Sequence, residues 1–126
     1  MTHVIEQDAT AVTLKVIEHF NDVFNRHDVD AIMAAMTDDC VFENTSPAPD
    51  GTRYEGQAAV RGFWETLFQE SPQAVITVEE LFAAGDRCTV RWVYRWSGDG
   101  VGHVRGVDIF RVRDGKVAEK LSYVKG

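Results

Sequence analysis

No run of this 126-residue chain approaches the ~20 consecutive apolar residues that a membrane-spanning helix needs. The opening MTHVIEQDATA has neither a basic start nor an apolar core, so no secretory leader is expected. Cysteine is scarce. Cys40 and Cys88 show no metal-ligand spacing and no disulfide framework, and are expected as free thiols in a reducing cytoplasm. Histidine is equally thin: His3, His19, His27 and His103 are scattered, which argues against a metal centre, and no cofactor is expected. Positive charge is in short supply, with 13 basic against 20 acidic side chains for a net charge of −7, which disfavours nucleic acid and anionic membrane as partners. Internal repeats, low-complexity tracts and a second domain are also lacking. What is present is globular composition, 44% hydrophobic and 26% charged, in a chain the length of one ordinary domain, 1–126.

Residues 1–9 are polar and expected to be loosely ordered. From Thr10 to Asn25, Leu14, Ile17, Phe20 and Phe24 recur at helical spacing, and Asn25-Arg26-His27 ends the run. Asp28 is placed to cap a second helix, Val29 to Met36, followed by a turn at Thr37-Asp38-Asp39 and a short strand from Cys40 to Asn44. Residues 45–56 read as an irregular loop holding a short strand at Arg53-Tyr54. A third helix from Gln57 to Gln69 carries Val60, Phe63, Trp64 and Leu67 on one face. Strands follow at Ala74–Ala84 and Arg87–Trp96, the latter alternating cleanly with Cys88, Val90, Trp92, Tyr94 and Trp96 on one side. Residues 97–100 turn the chain into a final hairpin, 103–126. Three helices and then antiparallel strands make an α+β layout: three N-terminal helices packed on one face of a curved sheet.

The final hairpin holds the chemistry. Asp114-Gly115 is a two-residue turn signal. Pairing outward from it sets Val112 opposite Val117, Phe110 opposite Glu119, Asp108 opposite Leu121 and Gly106 opposite Tyr123. Asp108 then lies on a mostly apolar face, where an acid is costly unless it is paired, hydrogen-bonded or protonated. The helices add Phe20, Phe24 and Trp64 to this side, the first strand adds Phe42, and the sheet adds Trp92, Tyr94, Phe110 and Tyr123. Such a core can pack solid around a hydrogen-bonded Asp108. It can equally enclose an apolar pocket with a few polar groups (Asp108, Asn44, Tyr94, Tyr123 and Glu119), the usual form of a small-molecule site. Strand alternation puts His103 on the face opposite Asp108. On the other side of the sheet, Ile76, Val78, Val93, Val107 and Ile109 form an apolar patch rimmed by Arg91, Arg95 and Arg111, which reads as a homodimer face.

The whole chain resembles the superfamily of SnoaL-like and nuclear-transport-factor-like proteins, which includes ketosteroid isomerases, polyketide cyclases and limonene epoxide hydrolases. The matching stretches are Phe24-Asn25-Arg26-His27-Asp28 with Ile32, Asp39-Cys40-Val41-Phe42-Glu43-Asn44, Tyr54-Glu55-Gly56, and Asp108-Ile109-Phe110-Arg111 with Asp114-Gly115-Lys116-Val117. The resemblance implies a cone, the cystatin-like roll: a strongly bent antiparallel sheet wrapped round a long helix, with a pocket inside and dimers common. Against the isomerases, the protonated oxyanion-donor aspartate falls on Asp108, while Asn44 and Phe20 stand where the general base and the oxyanion tyrosine are expected. Against the epoxide hydrolases, Asn44 alone is retained, within Phe42-Glu43-Asn44. The expectation is a pocket acid or base at Asp108 with Asn44 orienting an oxygen, acting on a small apolar carbonyl compound. The alternatives are a non-catalytic ligand-binding domain and a dimerisation module.

Overall fold

Ile17, Phe20 and Phe24 of the helical stripe, with Val23 beside them and Leu14 half-buried, form the buried side of helix α1 (Thr2–Asn25) in the computed structural model of the chain, which describes residues 2–97 and 100–125. The helix begins at Thr2 rather than Thr10, so most of the stretch expected to be loose is helical; Met1 lies outside the described residues, as do Gly98 and Asp99 of the expected turn and the terminal Gly126. His27, at φ 58°, adopts the left-handed conformation that ends α1, and the amides of His27 and Asp28 close onto the carbonyls of Phe24 and Val23. Asp28 then caps α2 (Val29–Ala34), accepting from the Ala31 amide at 3.1 Å. This helix stops two residues early because Met36 is drawn into β1 (Met36–Glu43), where it pairs with Val117. Thr37-Asp38-Asp39 is therefore strand, not turn. Helix α3 (Gln57–Glu70) follows β2 (Arg53–Glu55), and the Gln57 amide donates to the carbonyls of Met33, Met36 and Thr37.

The remaining strands are β3 (Ile76–Ala84), β4 (Arg87–Trp96), β5 (Gly102–Arg113) and β6 (Lys116–Val124). All six strands form one sheet in the order β2-β1-β6-β5-β4-β3. The sheet is mixed rather than antiparallel throughout, since β1 and β6 run parallel, and it does not close on itself. Both expected two-residue turns form: Ala84 pairs with Arg87 around Gly85-Asp86, and Arg113 with Lys116 around Asp114 and Gly115, at φ 54° and 73°.

Alternation outward from those turns nevertheless fails, because each hairpin contains a bulge. Between β5 and β6 the register slips beyond Val112–Val117, so that Arg111 faces Glu119, Phe110 faces Lys120 and Asp108 faces Ser122. Val117 and Ala118 are consecutive buried residues, the mark of one extra residue in the strand. A one-residue slip turns every later side chain to the other face. Lys120, Ser122 and Val124 move inward; Glu119, Leu121 and Tyr123 move outward. The same happens in β3 between Val78 and Glu80, which pairs Ile76 with Tyr94 and Val78 with Trp92 on the inner side. The predicted outer patch is corrected accordingly. Ile76 and Val78 leave it, Val93 is already buried within the chain, and half-buried Val107 and Ile109 are joined by Leu121 and by exposed Phe82 and Tyr123.

Candidate functional site

Asn25 sets one wall of the site. Its side-chain amide donates to the Ile76 carbonyl and its oxygen accepts from the Ile76 amide, both at 3.0 Å, tying the start of β3 to the end of α1. Between this junction, α3 and the inner sheet face lies a cavity of about 270 Å³. Phe20, Phe24, Phe42, Trp64, Trp92 and Tyr94 line it, together with Asn44 and Asp108. Half-exposed Val75 and Val124 stand at its margin. Gly106 belongs to this construction. A side chain there would run into the Tyr123 carbonyl and the Trp92 ring, whose Cζ2 and Cη2 lie 2.5 and 2.7 Å from the position of a Cβ.

The bulge in β6 decides the chemistry at the centre. Asp108 is 2% exposed and does not stand alone. Ser122 Oγ donates to its Oδ1 at 2.7 Å, and the Lys120 ammonium lies 3.2 Å from its Oδ2. Lys120 Nζ also donates to Ser122 Oγ at 3.0 Å, closing a triangle of acid, amine and hydroxyl. The ammonium is only 7% exposed and sits among aromatic rings, 4.8 Å from the Phe42 centroid, 5.6 Å from Trp64 and 6.0 Å from Phe24 and Phe110. Ring faces and the carboxylate together compensate a charge that burial alone would penalise. An ammonium has three donors. Asp108 and Ser122 take two, and among the described residues the third has no acceptor.

Residues 17–120 match the family model of the SnoaL-like domain. The chain belongs to the SnoaL-like family. Among solved structures, an NTF2-like protein of unknown function from Mesorhizobium loti is 44% identical over 93% of both chains, with a TM-score of 0.81. A candidate ketosteroid isomerase from Kribbella flavida is 23% identical over 93% of this chain and 80% of that one, TM-score 0.76. An LEH-like epoxide hydrolase from Mycobacterium tuberculosis is 18% identical over 92% and 80%, TM-score 0.74. The last two likenesses are of fold. No curated protein matches the chain.

Within this SnoaL-like domain the expected site residues separate into three groups. Asp108, Asn44 and the six aromatic residues named above line the cavity. Phe110 is fully buried behind it, edge-on to Phe20 at 5.6 Å between centroids. Tyr123 lies on the other face of the sheet, 53% exposed, and Glu119 goes with it, 3.3 Å from Arg111. His103 is exposed beside Arg105, and His27 is occupied by the Ala74 carbonyl and a stacked Phe68. The side chain of His3 is outside the described residues. Lys120 and Ser122 are the residues that strand alternation missed. In KVAEKLSYV the apolar residues Val117, Leu121 and Tyr123 alternate in the wrong register, so hydrophobicity pointed away from them. The usable signal was electrostatic, since a buried Asp108 needs a cation on an adjacent strand.

Both thiols are buried and free. Burial pushes the Cys88 thiol up to about 11 and that of Cys40 upward as well. At the edge of the sheet, a hydrogen bond from the Thr37 hydroxyl and the Arg113 guanidinium hold the Asp39 carboxyl below its ordinary value. No helix among the described residues is long and apolar enough to cross a membrane.

Proposed function

We propose that the cavity is an active site for proton transfer at carbon beside the carbonyl of a small, largely apolar molecule. The observation that carries this reading is the Asp108–Lys120–Ser122 triangle at the wall of an aromatic cavity. Asp108 serves as the base, taking a proton from the carbon next to the carbonyl. The unused N–H of Lys120 donates to the carbonyl oxygen and stabilises the negative charge that develops there. Ser122 holds both groups in place. Burial of Asp108 and Lys120 among the aromatic rings strengthens each of these interactions. In this arrangement Asp108 acts as a carboxylate with a counter-charge, rather than as the neutral donor that the isomerase resemblance implies.

The test is α-proton exchange. In deuterated buffer, 1-tetralone incubated with the protein gains deuterium beside its carbonyl, followed by NMR. Asp108→Asn abolishes the exchange, and Lys120→Met reduces it by at least tenfold. If the ketone binds, raising the melting temperature, but never exchanges, the site is a ligand-binding one without catalysis. A specific observation favours this second reading: Asn44 and Phe20 stand in the cavity without an acid or a hydroxyl.

We also propose that the outer sheet face is the contact of a homodimer. Phe82 and Tyr123 are 56% and 53% exposed there, beside half-buried Val107, Ile109 and Leu121. Sedimentation at micromolar concentration reads a dimer for the natural chain and a monomer for Phe82→Glu/Tyr123→Glu. A monomeric natural chain refutes it.

A further inference from the structure

Among the described residues every ion pair but one has an arginine as its cation; the exception is the buried pair of Lys120 with Asp108. The choice of amine over guanidinium matters there. Arginine offers a carboxylate two parallel N–H donors and keeps its proton, so it is the better partner where a pair only holds structure. Lysine makes the poorer clamp, but it becomes a nucleophile once its proton leaves. Nor is the pair needed to fill the core, since apolar residues of similar volume serve a buried site as well. Lys120 also differs from the other lysines of the chain. Lys15, Lys116 and Lys125 are exposed, whereas Lys120 is 7% exposed and lines the cavity beside Asp108 and Ser122.

We infer that Lys120 is a nucleophile that forms a reversible imine with a small apolar aldehyde in the cavity. The steps balance within the Asp108–Lys120–Ser122 triangle. The ammonium passes one proton to Asp108 Oδ2, 3.2 Å away, which discharges both members of the pair in a medium that solvates charge poorly. Turning about the Cε–Nζ bond brings the lone pair of the amine into the direction that no acceptor among the described residues occupies. A carbonyl whose oxygen was received by the N–H in that direction has its carbon about 3.5 Å from the nitrogen, within attacking distance. The N–C bond forms as the carbonyl π pair moves to oxygen, and a proton crosses from nitrogen to that oxygen, giving a carbinolamine. Protonated Asp108 gives its proton to the hydroxyl, the C–O bond breaks, and water leaves. An iminium remains beside the Asp108 carboxylate, so the site begins and ends with one cation and one anion. The Phe42 ring, whose centroid lies 4.8 Å from Nζ, faces the iminium as it faced the ammonium. An aldehyde is specified because its carbon is unhindered within a cavity of about 270 Å³. The inference deepens the reading above and rests on it for the cavity being the site: the ketone stops at the hydrogen bond to Lys120, and the aldehyde goes on to the covalent bond.

The experiment incubates the full chain with 2-naphthaldehyde and sodium cyanoborohydride, which reduces the iminium to a stable naphthylmethyl amine, and locates the label by peptide mass mapping. Lys120 is labelled faster than Lys15, Lys116 or Lys125 by about tenfold or more. An excess of 2-methylnaphthalene, which has the same rings and no carbonyl, slows labelling of Lys120 and leaves the three exposed lysines unchanged. Lys120→Arg keeps a cation beside Asp108 but forms no imine, so total labelling falls to the rate of the exposed lysines. The mapping is made on the natural chain and decides the matter even where Lys120→Arg does not fold. Label spread evenly over the lysines, no label on Lys120 at the solubility limit of the aldehyde, or a Lys120 rate untouched by 2-methylnaphthalene overturns the proposal. Failure here and failure of the proton-transfer reading are separate results. Label on Lys120 with no deuterium gained by 1-tetralone upholds the imine and refutes the proton transfer; deuterium gained with no label on Lys120 does the reverse.

Discussion

Replacing Lys120 by Met tests the central pair without altering the volume of the site much. Asp108, 2% exposed, is left with Ser122 as its one donor. Removing one partner of a buried ion pair costs about 3–5 kcal/mol, because a charge is stranded in a medium that solvates it poorly. The penalty has a ceiling, since the stranded carboxyl can take a proton instead. Protonating an ordinary aspartate about three pH units above its solution value costs roughly 4 kcal/mol at pH 7, and only about 1.5 kcal/mol at pH 5. Lys120→Met is therefore destabilised by about 3–4 kcal/mol at pH 7, and the deficit shrinks by roughly 2 kcal/mol on moving to pH 5. Urea unfolding at the two pH values measures this directly. Adding Asp108→Asn to Lys120→Met removes the stranded charge and restores most of the loss at pH 7, giving a coupling of about 2 kcal/mol or more. A loss that is the same at both pH values, or a double variant no more stable than Lys120→Met alone, refutes the reasoning. Either result means that Lys120 does not share a dry site with Asp108.

Other expectations follow from the same geometry. Gly106→Ala forces a methyl group into the Trp92 ring and the Tyr123 carbonyl, and costs about 2 kcal/mol or more in thermal or urea unfolding. Tyr123→Ser leaves cavity binding of 1-tetralone within about twofold, whereas Lys120→Met weakens it about tenfold, which tests the bulged register against regular alternation. Asn25→Ala strips both partners from the Ile76 backbone and destabilises by about 2 kcal/mol, with faster amide exchange at the start of β3. Cys88 resists iodoacetamide in the native protein at pH 8, because only the thiolate reacts and burial raises its value to about 11. The sign for stability follows: the folded state holds the Cys88 proton that the unfolded chain releases above about 9. Stability due to this group is thus intact below pH 9 and is lost between pH 9 and 11, a loss absent from Cys88→Ala.

How much of this was legible in the sequence follows the range of the interactions involved. Local rules reached far. Helical spacing in α1 and α3, the Asp28 cap and the two tight turns are set by residues within a few positions of one another. The start of α1 and the end of α2 were misplaced. A polar first turn carries little helical signal, and Met36 was taken from the helix by a strand eighty residues on. The alternating β4 was placed to the residue because nothing interrupts it.

The two bulges were a different matter. Adjacent Glu79 and Glu80 break the alternation of β3 and offered a hint. In β6 the alternation itself favoured the register that does not form. That register would have set Leu121 and Tyr123 inside and left Asp108 without a counter-charge. The sequence by itself determined the family, the α+β layout, the aromatic side of the core and the acid buried in it, since each rests on composition, spacing or a local turn. Only the tertiary structure decided which residues meet that acid. One extra residue in β6 exchanges the faces of everything after it, and the choice is made by burial and charge across strands that are neighbours in space rather than in sequence.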